Sequence, residues 1–246
     1  MSHYSEPVHR DPTSNGHFLF SKISVHEDLA ADHPDIISTQ RLLEAAVAAG
    51  RPRVVYASSS SVYGDAPALP LREDGPCRPV SPYGVTKLAA EHLAVLYNVN
   101  HALPTVSLRF FTVYGPRQRP DMAFHRFLRG ARDGETLTVY GDGLQTRDFT
   151  YVGDIVAAVR AAALSGRPGA VYNVGGGERI ALNDVLRLVE TVTGRTLRVV
   201  RQEAQKGDMR DTFADTTAAR TDLGFRSTVP LAEGLAREWE WLRGVA

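Results

Sequence analysis

Two short buried strands joined by a helix constrain this chain more than any other feature. The run Arg53 to Ala57 is β-branched and reads as a strand, Tyr83 to Leu96 has helical spacing, and Thr105 to Phe111 reads as a second buried strand. A helix lying between two strands is a crossover, and crossovers join parallel strands. Parallel sheets are covered on both faces, so the pattern predicts an α/β fold. At 246 residues the chain buries enough apolar surface to fold without metal or disulfide staples.

The remaining segments extend the same pattern. Residues 1–24, with His3, His9 and His17, have no clear period and read as an irregular arm. Helices are predicted over 35–49, 123–133, 153–164, 183–193 and 231–242, and strands over 137–140, 170–174 and 197–200. Ser58 to Ser61 is too polar for a strand interior and suits a strand's carboxyl end, where open α/β sheets build their sites. The predicted fold is a Rossmann-like parallel sheet with helices on its faces, plus a smaller α+β part towards the C-terminus. Charge is balanced at 28 basic against 28 acidic residues, which argues against nucleic-acid steering. The apolar runs are too short to span a bilayer, and the single cysteine, Cys77, argues against a disulfide framework. With no apolar leader in the first residues, the expected location is the cytoplasm.

Only three of the 28 basic residues are Lys: Lys22, Lys87 and Lys206. An ammonium changes its pKa on burial more readily than a guanidinium does, so a retained Lys is a candidate for chemistry. Tyr83 and Lys87 are one turn apart on the predicted crossover helix and share a face, and Ser59 lies at the end of the preceding strand. Such a trio suits acid/base work on a hydroxyl. The ammonium favours the phenolate, and the Ser hydroxyl bonds to the reacting oxygen.

Several longer segments carry a resemblance. Thr39-Gln-Arg-Leu-Leu-Glu-Ala-Ala46, Tyr56-Ala-Ser-Ser-Ser-Ser-Val-Tyr-Gly64, Ser81-Pro-Tyr-Gly-Val-Thr-Lys87, Leu108-Arg-Phe-Phe-Thr-Val-Tyr-Gly-Pro-Arg-Gln118, Tyr140-Gly-Asp-Gly-Leu-Gln-Thr-Arg-Asp-Phe-Thr-Tyr-Val152, Tyr172-Asn-Val-Gly-Gly-Gly177 and Gly207-Asp-Met-Arg210 resemble the nucleotide-sugar epimerases and dehydratases of the extended short-chain dehydrogenase family. The resemblance covers residues 25–246. It implies a catalytic role for Ser59, Tyr83 and Lys87, diphosphate contacts from Arg147 and Arg210, and packing of Tyr140 on the nucleotide base. Ser60, Thr112 and Asp208 are implied substrate neighbours. It also divides the chain into an arm (1–24), a Rossmann-like core (25–112, with 149–177 returning to it) and a substrate-binding part (113–148 and 178–246).

Departures from the family pattern shape the functional expectation. The family's Gly-rich turn, which holds the NAD pyrophosphate at a helix N-terminus, is not found in these 246 residues. Asp35 and Thr112 stand where the family usually has Asn. Ser60 and Ser61 stand where dehydratases carry an acidic pair, which disfavours water elimination. The sequence is therefore read as an N-terminally shortened relative that works without NAD. The leading expectation is a nucleotide-sugar pyranose to furanose mutase, with Tyr83 as base for the sugar O4. Truncated family members that act on GDP-sugars with a metal resemble it. A divalent ion, Mg or Mn, on the diphosphate would stabilise charge, and His26, His17 and Asp28 are its candidate ligands.

Two other readings stay open. One is an NAD-dependent UDP-hexose 4-epimerase, and the other is a silent sugar-nucleotide-binding protein. Pairing of two copies through the helix that carries Tyr83 and Lys87 is also implied, with Leu88, His92 and Leu96 either on the shared face or in the core.

Overall fold

The computed structural model describes residues 19–20, 34–66, 68–203 and 209–245. A four-stranded, all-parallel sheet forms the centre, in the order β1 (Leu19–Phe20), β2 (Val54–Ser59), β3 (Thr105–Phe110), β8 (Val171–Val174). Helix α1 (Pro34–Ala48) precedes β2, and α2 (Pro82–His101) crosses from β2 to β3. Helix α4 (Val152–Ser165) leads into β8. The α/β class and the parallel sheet expected from the sequence are what the structure contains.

Three smaller strand pairs lie beyond this sheet. β4 (Val113–Tyr114) pairs parallel with β7 (Thr150–Tyr151), β5 (Thr136–Tyr140) pairs parallel with β10 (Arg198–Gln202), and β6 (Thr146–Asp148) pairs antiparallel with β9 (Arg179–Ala181). Around them pack α3 (Ala123–Asp133), α5 (Leu182–Thr193) and α7 (Leu231–Gly244), sharing a core that includes Phe124, Leu128, Val185, Val189, Leu235 and Trp239. Helix α6 (Thr217–Leu223) packs Ala219 and Leu223 against α4 and β8. Strands β1, β4, β6, β7 and β9 and helix α6 are absent from the sequence reading, because two- to seven-residue elements are too short to show a period; β1, paired with β2, lies within the stretch read as an irregular arm.

Two expectations are corrected. Helix α2 runs on to His101 rather than ending at Leu96. Ser81 caps its start, its Oγ accepting the Gly84 N–H at 3.1 Å, and Pro82 follows in the first turn. Asn98, Val99 and Asn100 are weak helix formers, but Tyr97 is buried against Leu43, Val54 and Leu103 on the α1 side, so packing overrides propensity. The serine run is not wholly outside the strand either. Ser58 and Ser59 are the last residues of β2 and are buried, and Ser60–Val62 forms a 3-10 turn after them.

Among the described residues, one buried carboxyl has neither a counter-ion nor a partner for its second oxygen. Glu238 of α7 is fully buried; its Oε2 accepts the Gly115 N–H at 2.9 Å and its Oε1 has no partner. Burial pushes its pKa up to about 8, against the smaller downward pull of the Gly115 N–H. The folded state therefore prefers the neutral carboxyl. Its stabilising share is present in full below the ordinary Glu value and is lost as pH rises through 8, at about 1.4 kcal/mol per pH unit within that window. Thermal melts between pH 6 and 9 should show stability falling with pH. Glu238→Gln, which keeps the acceptor for Gly115, should flatten that slope.

Candidate active site

The carboxyl end of β2 and the first turns of α2 meet at the serine turn. A Cβ on Gly84 would stand 2.5 Å from the Ser61 carbonyl oxygen and 2.9 Å from Pro79 Cβ, so only glycine lets the helix backbone come this close. Tyr83 precedes that glycine, and Lys87 follows one turn later. Lys87 is 6% exposed, with Nζ donating to the Ala57 carbonyl at 3.4 Å. The same nitrogen lies 5.7 Å from the Tyr83 ring centre and 5.5 Å from that of Tyr56. Ser59 Oγ accepts the Ser61 N–H and bonds to Ser61 Oγ, both at 3.1 Å. Strand end and helix thus assemble Ser59, Tyr83 and Lys87 at one edge of the sheet. Lys87 is dry, while Tyr83 is 41% exposed and faces outward.

A second cluster ties the Arg147 side chain to the backbone of Arg210, far from it in sequence. Arg147 of β6 donates to the Arg210 carbonyl at 3.0 Å, and the Arg210 side chain reaches Asp142 Oδ2 at 3.4 Å. Thr146 anchors the segment through its side-chain hydrogen bond to Asp211 and through its N–H, which donates to the Arg210 carbonyl at 3.0 Å. Tyr140, at the end of β5, lies just before Asp142 and is half-buried. Ser60 is buried in the 3-10 turn, and the Thr112 carbonyl accepts the Thr150 N–H at 2.9 Å. His17, His26, Asp28 and Asp208 lie outside the described residues. Among the described residues no three His, Cys, Asp or Glu side chains converge as metal ligands.

The glycine run Gly175–Gly177 wraps around Asp148, whose carboxylate is fully buried. Asp148 Oδ1 accepts the Gly176 N–H at 2.6 Å and the Gly177 N–H at 3.2 Å, and Oδ2 accepts the Ala214 N–H at 3.0 Å. Burial still pushes this acid up to about 6, with the three N–H groups acting the other way. A Cβ on Gly176 would be 1.8 Å from the Phe149 carbonyl oxygen, so close backbone approach accounts for that residue. The sequence reading missed Asp148. It sits beside Arg147 in the quoted Tyr140–Val152 segment, but no local signal showed what its carboxylate would bind.

Known proteins were then compared with this chain. The description "NAD dependent epimerase/dehydratase family" fits residues 22–175. YtcB of Bacillus subtilis, described as an uncharacterized UDP-glucose epimerase, is 41% identical over 211 residues, or 85% of this chain; the chain spans only about two thirds, 66%, of YtcB. The structure of MoeE5 with UDP-glucuronic acid and NAD matches at a TM-score of 0.83 and 46% identity, covering 86% of this chain and 72% of MoeE5. The UDP-glucuronic acid 4-epimerase of Bacillus cereus, also solved with UDP-glucuronic acid and NAD, matches at a TM-score of 0.85 and 39% identity, covering 90% and 71%.

These relatives overturn two expectations. Both solved structures hold NAD, against the expectation that this chain does without it, and the activities named for YtcB and the Bacillus cereus protein are UDP-sugar epimerisations, against the expectation of a furanose-forming mutase. The error came from weighing the missing glycine-rich turn above the strand-end chemistry. Nothing in the comparisons supports metal dependence.

Replacing Gly84 by Ala should push α2 off the serine turn. Overpacking of this kind costs about 1–3 kcal/mol, and a lowered melting temperature beside an unchanged far-ultraviolet spectrum would be the measured sign.

Proposed function

We propose, from the premise that this chain belongs to the NAD dependent epimerase/dehydratase family, that it works as an NAD-dependent UDP-sugar 4-epimerase. The observation that carries the reading is the buried Lys87 ammonium, held 5.7 Å from the Tyr83 ring at the strand end that also carries Ser59. Relatives that bind UDP-sugars and NAD support it. Dehydratases also occur among the relatives, but Ser60 and Ser61 offer no acid to expel water.

The cofactor fits the described residues at one end. Lys87 and Tyr83 present donors at the carboxyl end of a parallel sheet, where α/β folds hold dinucleotides. These suit the hydroxyls of the nicotinamide ribose. No described residue forms a Gly-rich turn for the pyrophosphate. NAD, when bound, supplies the hydride acceptor and donor for the sugar carbon that inverts.

The remaining chemistry falls to the chain's own side chains. Tyr83 takes the proton of the sugar 4-hydroxyl and returns it to the 4-oxygen. Lys87 favours the phenolate form of Tyr83 through its charge. Ser59 hydrogen-bonds the 4-oxygen and orients it. Arg147 and Arg210 receive the diphosphate through charge-assisted hydrogen bonds, and Tyr140 stacks on the base.

A homodimer accompanies this reading. Val85, Leu96 and Val99 of α2 and Ile37 of α1 are large apolar side chains left exposed, at 51%, 47%, 75% and 46%. Leu88 is half-buried and His92 exposed. A second copy of the same helix pair would cover this stripe.

Incubation with UDP-glucose or UDP-glucuronate, followed by carbohydrate NMR, should give the 4-epimer only when NAD is added. A furanose product, or turnover indifferent to NAD, would overturn the reading. Tyr83→Phe should lower kcat by about 10²- to 10⁴-fold, the usual worth of a general acid/base, with nucleotide affinity kept. Size-exclusion chromatography with light scattering should show a dimer for the wild type and a monomer for Leu96→Glu.

A further inference from the structure

Three strands of the central sheet carry a polar residue at the same level. Ser58 of β2 stands opposite Arg109 of β3, and Arg109 stands opposite Asn173 of β8. Register partners project from one face of a sheet, and these three are buried, at 3%, 4% and 0% exposure. Against that face lies Glu91 of α2, 2% exposed and one helical turn beyond Lys87, on the same side of the helix.

The Glu91 carboxylate is fully engaged. It accepts the Ser58 hydroxyl at 2.6 Å, Arg109 Nε at 3.0 Å and Arg109 Nη2 at 2.6 Å. The remaining Arg109 nitrogen donates to the Tyr63 hydroxyl at 2.8 Å and the Glu73 carbonyl at 3.3 Å, and Tyr63 donates in turn to Asn173 Oδ1 at 2.7 Å. Burial pushes the Tyr63 phenol up to about 12, partly offset by Arg109, so Tyr63 keeps the proton it donates. The result is a dry, two-pronged ion pair pinned to three strands.

Stability alone does not call for such a pair. A buried ion pair is matched, and often exceeded, by well-packed apolar side chains of similar volume, because desolvation offsets the attraction. What apolar contacts lack is direction. Two parallel N–H to oxygen bonds fix the rotation and height of a helix in a way that a greasy contact does not. Acid/base chemistry is sensitive to that placement, since a displacement of about 1 Å in a reacting group costs on the order of 10²-fold in rate.

We propose that Glu91 and Arg109 are positioning residues that set the height and rotation of α2 over the strand ends, and so hold Tyr83 and Lys87 in register with Ser59. The pair touches no substrate and acts through the helix. The kinetic part of the test rests on the epimerase reading; the spectroscopic part does not.

The test compares wild type with the paired variant Glu91→Met/Arg109→Met and with Ser58→Ala, which removes one hydrogen bond and leaves the ion pair. Each protein is melted, assayed with UDP-glucose, UDP-glucuronate and NAD, and titrated without either ligand using ζ-¹³C-tyrosine NMR, the Tyr83 signal being assigned from Tyr83→Phe. The paired variant should melt near wild type, yet lose about tenfold or more in kcat with KM within about twofold, and its Tyr83 midpoint should rise. Ser58→Ala should lose about threefold in kcat, in the same direction. A paired variant with wild-type kcat and an unmoved Tyr83 midpoint would overturn the proposal, as would a Ser58→Ala change felt in KM alone. Should wild type turn over no UDP-sugar with NAD while the Tyr83 midpoint still rises in the paired variant, the epimerase reading fails and the positioning role stands.

Discussion

A carboxylate removed from water must find donors, and in this chain that requirement binds helix α2 to the sheet. Glu91 meets it with Ser58 and Arg109. Arg109 in turn needs acceptors for its remaining hydrogens and takes them from Tyr63 and Glu73. Asn173 carries the chain of bonds outward, donating to the Leu71 carbonyl at 2.8 Å and the Asp215 carbonyl at 3.2 Å. Leu71 pairs with the 213–215 segment, which leads back to Arg210. A connected set of hydrogen bonds therefore runs from the helix of Tyr83 and Lys87 to residues 213–215, and the chain continues from there to the exposed Arg210. Because each group is the required partner of the next, the path is held as a unit.

The features that the sequence made legible were local ones. Tyr83 and Lys87 lie four positions apart on a helix with a clear period, and the serine turn closes a short β-branched run, so their common edge follows from helix and strand geometry. Arg147 and Arg210 are 63 positions apart, and only the family resemblance joined them. The row of Ser58, Arg109 and Asn173 was illegible, because a register between strands is set by pairing across long separations; Tyr63 and Asn173 are 110 positions apart. Two faint signals were there to find: a single charged residue, Arg109, within a short buried strand, and a glutamate one turn beyond the lysine on the same face.

The misjudged cofactor has a physical lesson of its own. A dinucleotide is held at two ends by different means: backbone N–H groups at a helix N-terminus for the pyrophosphate, and side chains at a strand end for the nicotinamide ribose. A glycine fingerprint reports only the first. In the proposed reading the second falls to the buried Lys87 ammonium and the Tyr83 phenol beside it.

Lys87 is sealed from solvent and Tyr83 is not. In the proposed reaction the proton-carrying group thus sits at the boundary between protein and water, with its charge partner on the inner side. Where water reaches the ring, it screens the attraction between ammonium and phenolate. Once a sugar and a cofactor cover the ring, the local dielectric falls and the same fixed charge acts more strongly on it. Covering the ring also strips water from the phenolate, so the sealed Lys87 ammonium is the charge that offsets this loss when a ligand takes the place of solvent.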